Sequence, residues 1–164
     1  MSDAIKELKD KLLYKRVKTY EVMTEADFSA ADDYAKGYMA FLDGGKTERE
    51  CVSYAIKMVE AQGYREYKLG DKIEKGGKYY YSNRGRAIYV FRIGSESVEE
   101  GIRISASHID SPRLDLKPHP LYEDNGVGYL KTHYYGGVKK YQWVAMPLAL
   151  HGTVVKADGT SGDI

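Results

Sequence analysis

A single cysteine, Cys51, is all the thiol chemistry this sequence offers. One thiol closes no intrachain disulfide and forms no CxxC pair for zinc or redox work. An oxidising compartment is therefore not indicated, and the expected location is cytoplasmic. Charge of one sign is missing too, because 25 Lys and Arg face 24 Asp and Glu for a net +1. No global field draws in nucleic acid or an anionic bilayer, and neither is expected as a partner. Long apolar runs are absent, and nothing approaches the ~20 residues a membrane helix needs. The opening "MSDAIKELKDKLL" carries charges throughout and lacks the unbroken apolar centre of a signal peptide. Phenylalanine and tryptophan are scarce, three and one, whereas tyrosine occurs sixteen times. That balance suits half-buried sheets and subunit contacts, where a ring packs and its hydroxyl stays hydrated.

What is present divides by period. At 164 residues the chain has room for one ordinary domain or for part of something larger. Ile5, Leu8 and Leu12 recur at helical spacing, and Thr24 with Asp27 marks a second helix that runs to Gly44-Gly45. Thr47 and Glu50 form a capping-box signature for a third, whose face is Val52, Ala55, Ile56 and Val59 and whose stop is Gly63. Cys51 borders that face as a small buried residue. From residue 64 the pattern turns to strands. "KYYYSNRGRAIYVFRIG" reads as a hairpin about Asn83-Arg84-Gly85, and "GIRISASHID" as a further strand ended by Ser111-Pro112. Beyond it, short strands alternate with Gly, Pro and Asp-Gly turns. The shift near residues 114–120 sets a domain boundary between 1–116 and 117–164. "HGTVVKADGT" ends on a turn signal with only "SGDI" after it, so an unpaired strand edge is expected there. That end reads as the front of a longer protein.

The chemistry centres on His108 and Asp110. On a strand, residues two apart share a face, so the pair would project together at the strand's C-terminal end, where open α/β sheets gather ligands. Histidine is a common zinc donor, and a neighbouring carboxylate orients it or acts on the metal's water. Alone, His-x-Asp is a weak motif, and it equally describes a histidine hydrogen-bonded to an aspartate at a strand end. His119, His133 and His151 offer no metal-ligand spacing; the first two read as turn or sheet-surface positions and His151 as a strand-end residue. The Gly-Gly pairs fit no phosphate-binding fingerprint, Lys139-Lys140 reads as a solvated turn, and no Gly-x-Ser-x-Gly elbow occurs.

Several ordered segments together are more specific. "SASHIDSPRLDLKP", "YYGGVKKYQW" and "PLALHGTVV" match a His-x-Asp-Ser-Pro segment, a Lys-Pro, a Tyr-Gly-Gly turn, a tryptophan and a Leu-x-Leu-x-Gly-x-Val strand. They fall on His108 to Pro112, Lys117-Pro118, Tyr135 to Gly137, Trp143, and Leu148 to Val154. In this the chain resembles the M18 family of metallo-aminopeptidases, the aspartyl-aminopeptidase-like enzymes. The resemblance implies an α/β fold: the first part of a zinc-aminopeptidase-like catalytic domain, then the start of an inserted β-rich oligomerisation domain. It implies a zinc-dependent hydrolase that removes N-terminal residues from peptides through a dinuclear metal-bound hydroxide, with cobalt or manganese as substitutes. His108 would be a metal ligand and Asp110 the catalytic carboxylate that orients it. A homo-oligomer, commonly a dodecamer, is implied as well. The family's other ligands and its general base have no counterparts in these residues, so the 164 residues alone are expected to be inactive. Where many members continue the tryptophan with Phe-Asp-Arg-Asp-Leu, this sequence has "WVAMPL", and Tyr141 stands where many have histidine. No preference for acidic N-terminal residues is therefore carried over. The alternative reading is a non-enzymatic β-rich assembly module whose tyrosines make subunit contacts.

Overall fold

The computed structural model describes residues 3–164. Met1 and Ser2, the first letters of the expected opening helix, lie outside the described residues. The chain forms two units, the first ending at Ala40 and the second Phe41–Ile164.

The first unit holds α1 (Asp3–Leu12), α2 (Thr19–Val22) and most of α3 (Glu25–Gly44). The start of α3 is a reciprocal cap. Asp27 N–H donates to Thr24 Oγ1 at 3.3 Å, and Thr24 N–H donates to Asp27 Oδ2 at 2.8 Å. This is capping-box logic with aspartate in the glutamate position. Ile5, Leu8 and Leu12 line up as their spacing requires, yet all three are exposed. The stripe has formed without anything covering it.

In the second unit, α4 (Glu48–Ala61) begins at the expected box: Glu50 N–H donates to Thr47 Oγ1, and Thr47 N–H donates to Glu50 Oε2. Gly63, at φ +80°, takes the left-handed conformation that closes the helix. Next come β1 (Arg65–Glu66), β2 (Lys78–Asn83) and β3 (Ala87–Arg92). β2 and β3 pair antiparallel, and β1 adds to β2 in parallel. The hairpin turns through Arg84 and Gly85, both at positive φ, as its signal requires. α4 lies against β2 and β3, and the buried side chains are Cys51 and Val52 from the helix with Tyr79 and Tyr80 from the strand. Tyr80 O–H donates to Glu60 Oε1 at 2.6 Å, which pushes the phenol up to about 12.

A longer ribbon follows: β4 (Arg113–Asp124) antiparallel to β5 (Val127–Tyr135), turning at Asn125-Gly126. Its register shifts between Leu116 and Leu121, where Lys117-Pro118-His119-Pro120 intervenes. Neither proline has an N–H to give the ladder, and His119 sits at φ +53°, so a bulge is the consequence. A short helix, α5 (Lys140–Trp143), precedes β6 (Thr153–Val155) and β7 (Ser161–Asp163).

Two expectations need correcting. Residues 101–112 form no strand, although Ile102 and Ile104 alternate as a strand face should. A strand exists only with a hydrogen-bonding neighbour, and no described strand pairs with this segment. Its isoleucines are consequently 68% and 79% exposed. The second concerns the edge at 153–155, which is not left unpaired. Asp158 accepts from Thr160 N–H and Oγ1–H, Gly159 turns at φ +84°, and β7 returns to pair with β6. Three residues after the turn were enough.

Within the second unit the buried side chains Cys51, Val52, Tyr79 and Tyr80 all belong to α4 and β2, so the α4–sheet core is the part held by its own burial.

Candidate functional site

The segment carrying His108 and Asp110 is held at both ends. On one side, burial pushes the Cys51 thiol pKa up, so it stays protonated and donates to the Gly45 carbonyl at 3.4 Å and the Ile109 carbonyl at 3.6 Å. That second bond ties the segment to α4. On the other side, Ser111-Pro112 leads into β4, whose first residue, Arg113, faces Tyr135 across the ladder. Gly136 then turns at φ +71° so close to Pro112 that a β-carbon would lie 3.4 Å from its Cα. The positive φ is what favours glycine there, since a contact of 3.4 Å would be ordinary packing. The two most distinctive sequence segments, "HIDSP" and "YYGG", are thus neighbours in space.

His108 Nδ1 lies 2.9 Å from the Asp110 carbonyl oxygen and 3.0 Å from its carboxylate Oδ1. Neither oxygen can donate, because one is a carbonyl and the other belongs to an ionised carboxylate. The hydrogen bond from Tyr135, at 2.7 Å to Oδ2, holds the Asp110 pKa below the ordinary carboxylate value, opposed by desolvation and helped by His108. The same bond raises the Tyr135 phenol. The proton of a neutral His108 therefore sits on Nδ1, and Nε2 carries the lone pair. The side chain is 83% exposed, which leaves Nε2 open. This is the arrangement of a metal-binding histidine with its orienting carboxylate.

Around Tyr135 the support continues. The Arg113 guanidinium lies 4.2 Å from the centre of the tyrosine ring. It donates to Glu48 Oε1 at the start of α4, at 3.0 Å, and to Asp115 Oδ1 at 2.8 Å. Sequence reasoning did not find Arg113, Glu48 or the role of Tyr135. The only signal available was the Tyr-Gly-Gly segment itself.

As a test of zinc, the donor set fits in part. His108 can give one nitrogen, and Asp110 accounts for its orientation. Among the described residues, no group of three or more His, Cys, Asp or Glu side chains could hold a metal ion. His119 is in the β4 bulge, and His133 is on β5 opposite Asp115.

His151 has a different partner from any the sequence suggested. Its Nδ1 lies 2.8 Å from Glu50 Oε1, so the α4 capping residue also holds the approach to β6. A cleft of about 200 Å³ opens beside this pair, between Tyr54, Lys57, Thr153 and Asp163, and does not include His108 or Asp110. Burial works against ionisation of Glu50, but the hydrogen bonds from His151 and Thr47 outweigh it and lower its pKa from the ordinary 4.5. A depressed folded-state value means stability that is present above 4.5 and lost as pH falls through the lower folded value. In urea melts of the complete protein, Glu50→Gln should be the less stable at neutral pH and should lose less than wild type below pH 4.5. Parallel acid curves for the two would remove Glu50 from the linkage.

Comparison with known proteins gives a consistent result. Residues 41–163 match the family model described as aminopeptidase I zinc metalloprotease (M18). The chain is similar to a probable M18 family aminopeptidase 1 of Clostridium acetobutylicum, 52% identical over 124 residues, which are 73% of this chain and 27% of that protein. A counterpart from Thermotoga maritima is 42% identical over 133 residues, covering 80% and 29% respectively. The crystal structure of aminopeptidase I from Borrelia burgdorferi superposes with a TM-score of 0.84 at 33% identity, over 90% of this chain and 37% of that one. The chain thus spans under a third of the length of these curated relatives.

Proposed function

Because this chain belongs to the aminopeptidase I zinc metalloprotease (M18) family, we propose that the complete protein is a zinc-dependent aminopeptidase releasing N-terminal residues from peptides. The observation that carries the reading is the His108–Asp110 pair, with Nδ1 engaged and Nε2 free. His108 serves as one nitrogen donor of a two-ion site. Asp110 fixes its tautomer and ring plane and makes it a better donor. Zinc, when bound, supplies Lewis acidity toward the scissile carbonyl and the attacking water. The remaining donors and the general base come from outside the described residues, and cobalt or manganese would substitute. On this reading residues 1–116 open the catalytic domain and 117–164 begin a β-rich domain through which copies assemble, as a dodecamer. The enzyme works in the cytoplasm, where the lone buried thiol of Cys51 stays reduced.

The test is a pair of peptides, one with a free N-terminus and one N-acetylated, followed by mass spectrometry with the zinc-loaded complete protein. Stepwise loss of single residues from the free peptide alone is expected. Equal trimming of the acetylated peptide, or cleavage at internal bonds, would overturn the aminopeptidase reading.

A further inference from the structure

We propose that Tyr135 is a positioning residue for His108, acting through Asp110; the inference rests on His108 being a zinc donor. The His108 side chain is 83% exposed, so packing does little to fix its ring. What holds it is Asp110, through the carbonyl at 2.9 Å and Oδ1 at 3.0 Å. An aspartate carboxylate rotates readily about its last bond, because that torsion is broad. A single bond to His108 would leave it free to swing toward water. Tyr135 removes that freedom by donating to the second oxygen, Oδ2, at 2.7 Å. With both oxygens engaged, the carboxylate plane is set, and the imidazole plane follows from it.

The phenol is itself held in place. Its residue faces Arg113 in the β4–β5 register, so the main chain fixes where the ring starts. The Arg113 guanidinium lies on the ring face at 4.2 Å, and Glu48 and Asp115 anchor that guanidinium. The line of support runs from the first turn of α4 through Arg113, Tyr135 and Asp110 to His108. It also gives a physical reason for a Tyr-Gly-Gly segment 25 residues beyond Asp110. Tyrosine supplies the donor, and Gly136 takes the positive-φ turn, at +71°, by which the chain leaves β5 beside Pro112.

Tyr135→Phe is the discriminating change. It removes only the hydroxyl and keeps the ring under Arg113. Tyr135 is 38% exposed and the ladder bonds are main-chain, so the fold should hold. Zinc affinity of the complete protein is read by competition with a chromogenic chelator, alongside a urea melt. Tyr135→Phe should weaken zinc binding about tenfold, the lower end for loss of a partner that supports a ligand. In an Asp110→Ala background the same change should move zinc affinity by less than about twofold, since the coupling runs through Asp110. Wild-type affinity in Tyr135→Phe, while His108→Ala loses zinc, overturns the positioning role and leaves the aminopeptidase reading standing. An equal loss in the Asp110→Ala background overturns it as well, because Tyr135 would then act by another route. If His108→Ala keeps its zinc, the reading fails and this inference falls with it.

Discussion

Replacing His108 with alanine in the complete protein should abolish peptide hydrolysis and weaken zinc binding by more than about 100-fold. Losing a group that merely orients a ligand costs about 10- to 100-fold, and a donor bonded to the metal counts for more. No described side chain stands ready to substitute, because no other His, Cys, Asp or Glu gathers with His108 into a set of metal-binding size. The fold should be indifferent. The imidazole is 83% exposed, and its bonds are to its neighbour two residues on, so with zinc stripped from both proteins the urea midpoint should match wild type. That combination separates a ligand from a structural histidine, which would lose stability first and zinc only as a result. Wild-type zinc content and turnover in His108→Ala would end the assignment. Asp110→Asn belongs to the same series with a milder outcome. Its amide still reaches His108, so most of the metal should remain while turnover falls.

The features legible in the sequence were those whose causes are local. The Thr47–Glu50 box lies within four residues, and the Asn83-Arg84-Gly85 hairpin needs only a turn flanked by alternating residues. Both formed as read. His108 and Asp110 were also read as a pair, but for a reason the structure does not support. A strand would hold residues two apart at roughly 6.6 Å along its axis. Here the segment is not a strand, and the His108 ring folds back onto the carbonyl and carboxylate of Asp110. The pair survives the loss of the strand because its spacing is short enough for either geometry. Contacts between distant residues were not legible. Tyr135 meets Asp110 only because β4 and β5 pair in one register, and that register shifts at Pro118-His119-Pro120. Glu50 and His151 are 101 residues apart, and a capping signature carries no trace of a second partner. The family resemblance fixed the order of "HIDSP" and "YYGG", but order along a chain does not say which segments touch.

Tyr79→Ala should cost about 3–5 kcal/mol, the usual range for removing a buried aromatic ring. Tyr79 is 1% exposed and stacks on Phe91 at 5.5 Å, with Tyr67 edge-on at 6.3 Å. Its hydroxyl accepts from Glu74 N–H and from Arg65 Nη2–H, each at 3.0 Å. The surroundings are built to its size, since a β-carbon on Gly77 would fall 2.5 Å from the ring. Tyr79→Phe keeps the ring and removes only the acceptor, leaving the Glu74 N–H without its partner, so about 1–3 kcal/mol is expected. Urea melts of the complete protein give both values, and a phenylalanine variant as damaged as the alanine one would mean the hydroxyl, not the ring, dominates. The loss should also reach His108, the proposed zinc donor. β2 carries Tyr79 and lies against α4, α4 presents Glu48, and Glu48 holds the Arg113 that braces Tyr135. Zinc should therefore leave Tyr79→Ala at lower urea than wild type, in step with the unfolding of the sheet. Zinc retained past that transition would show that His108 is held independently of the α4–sheet core.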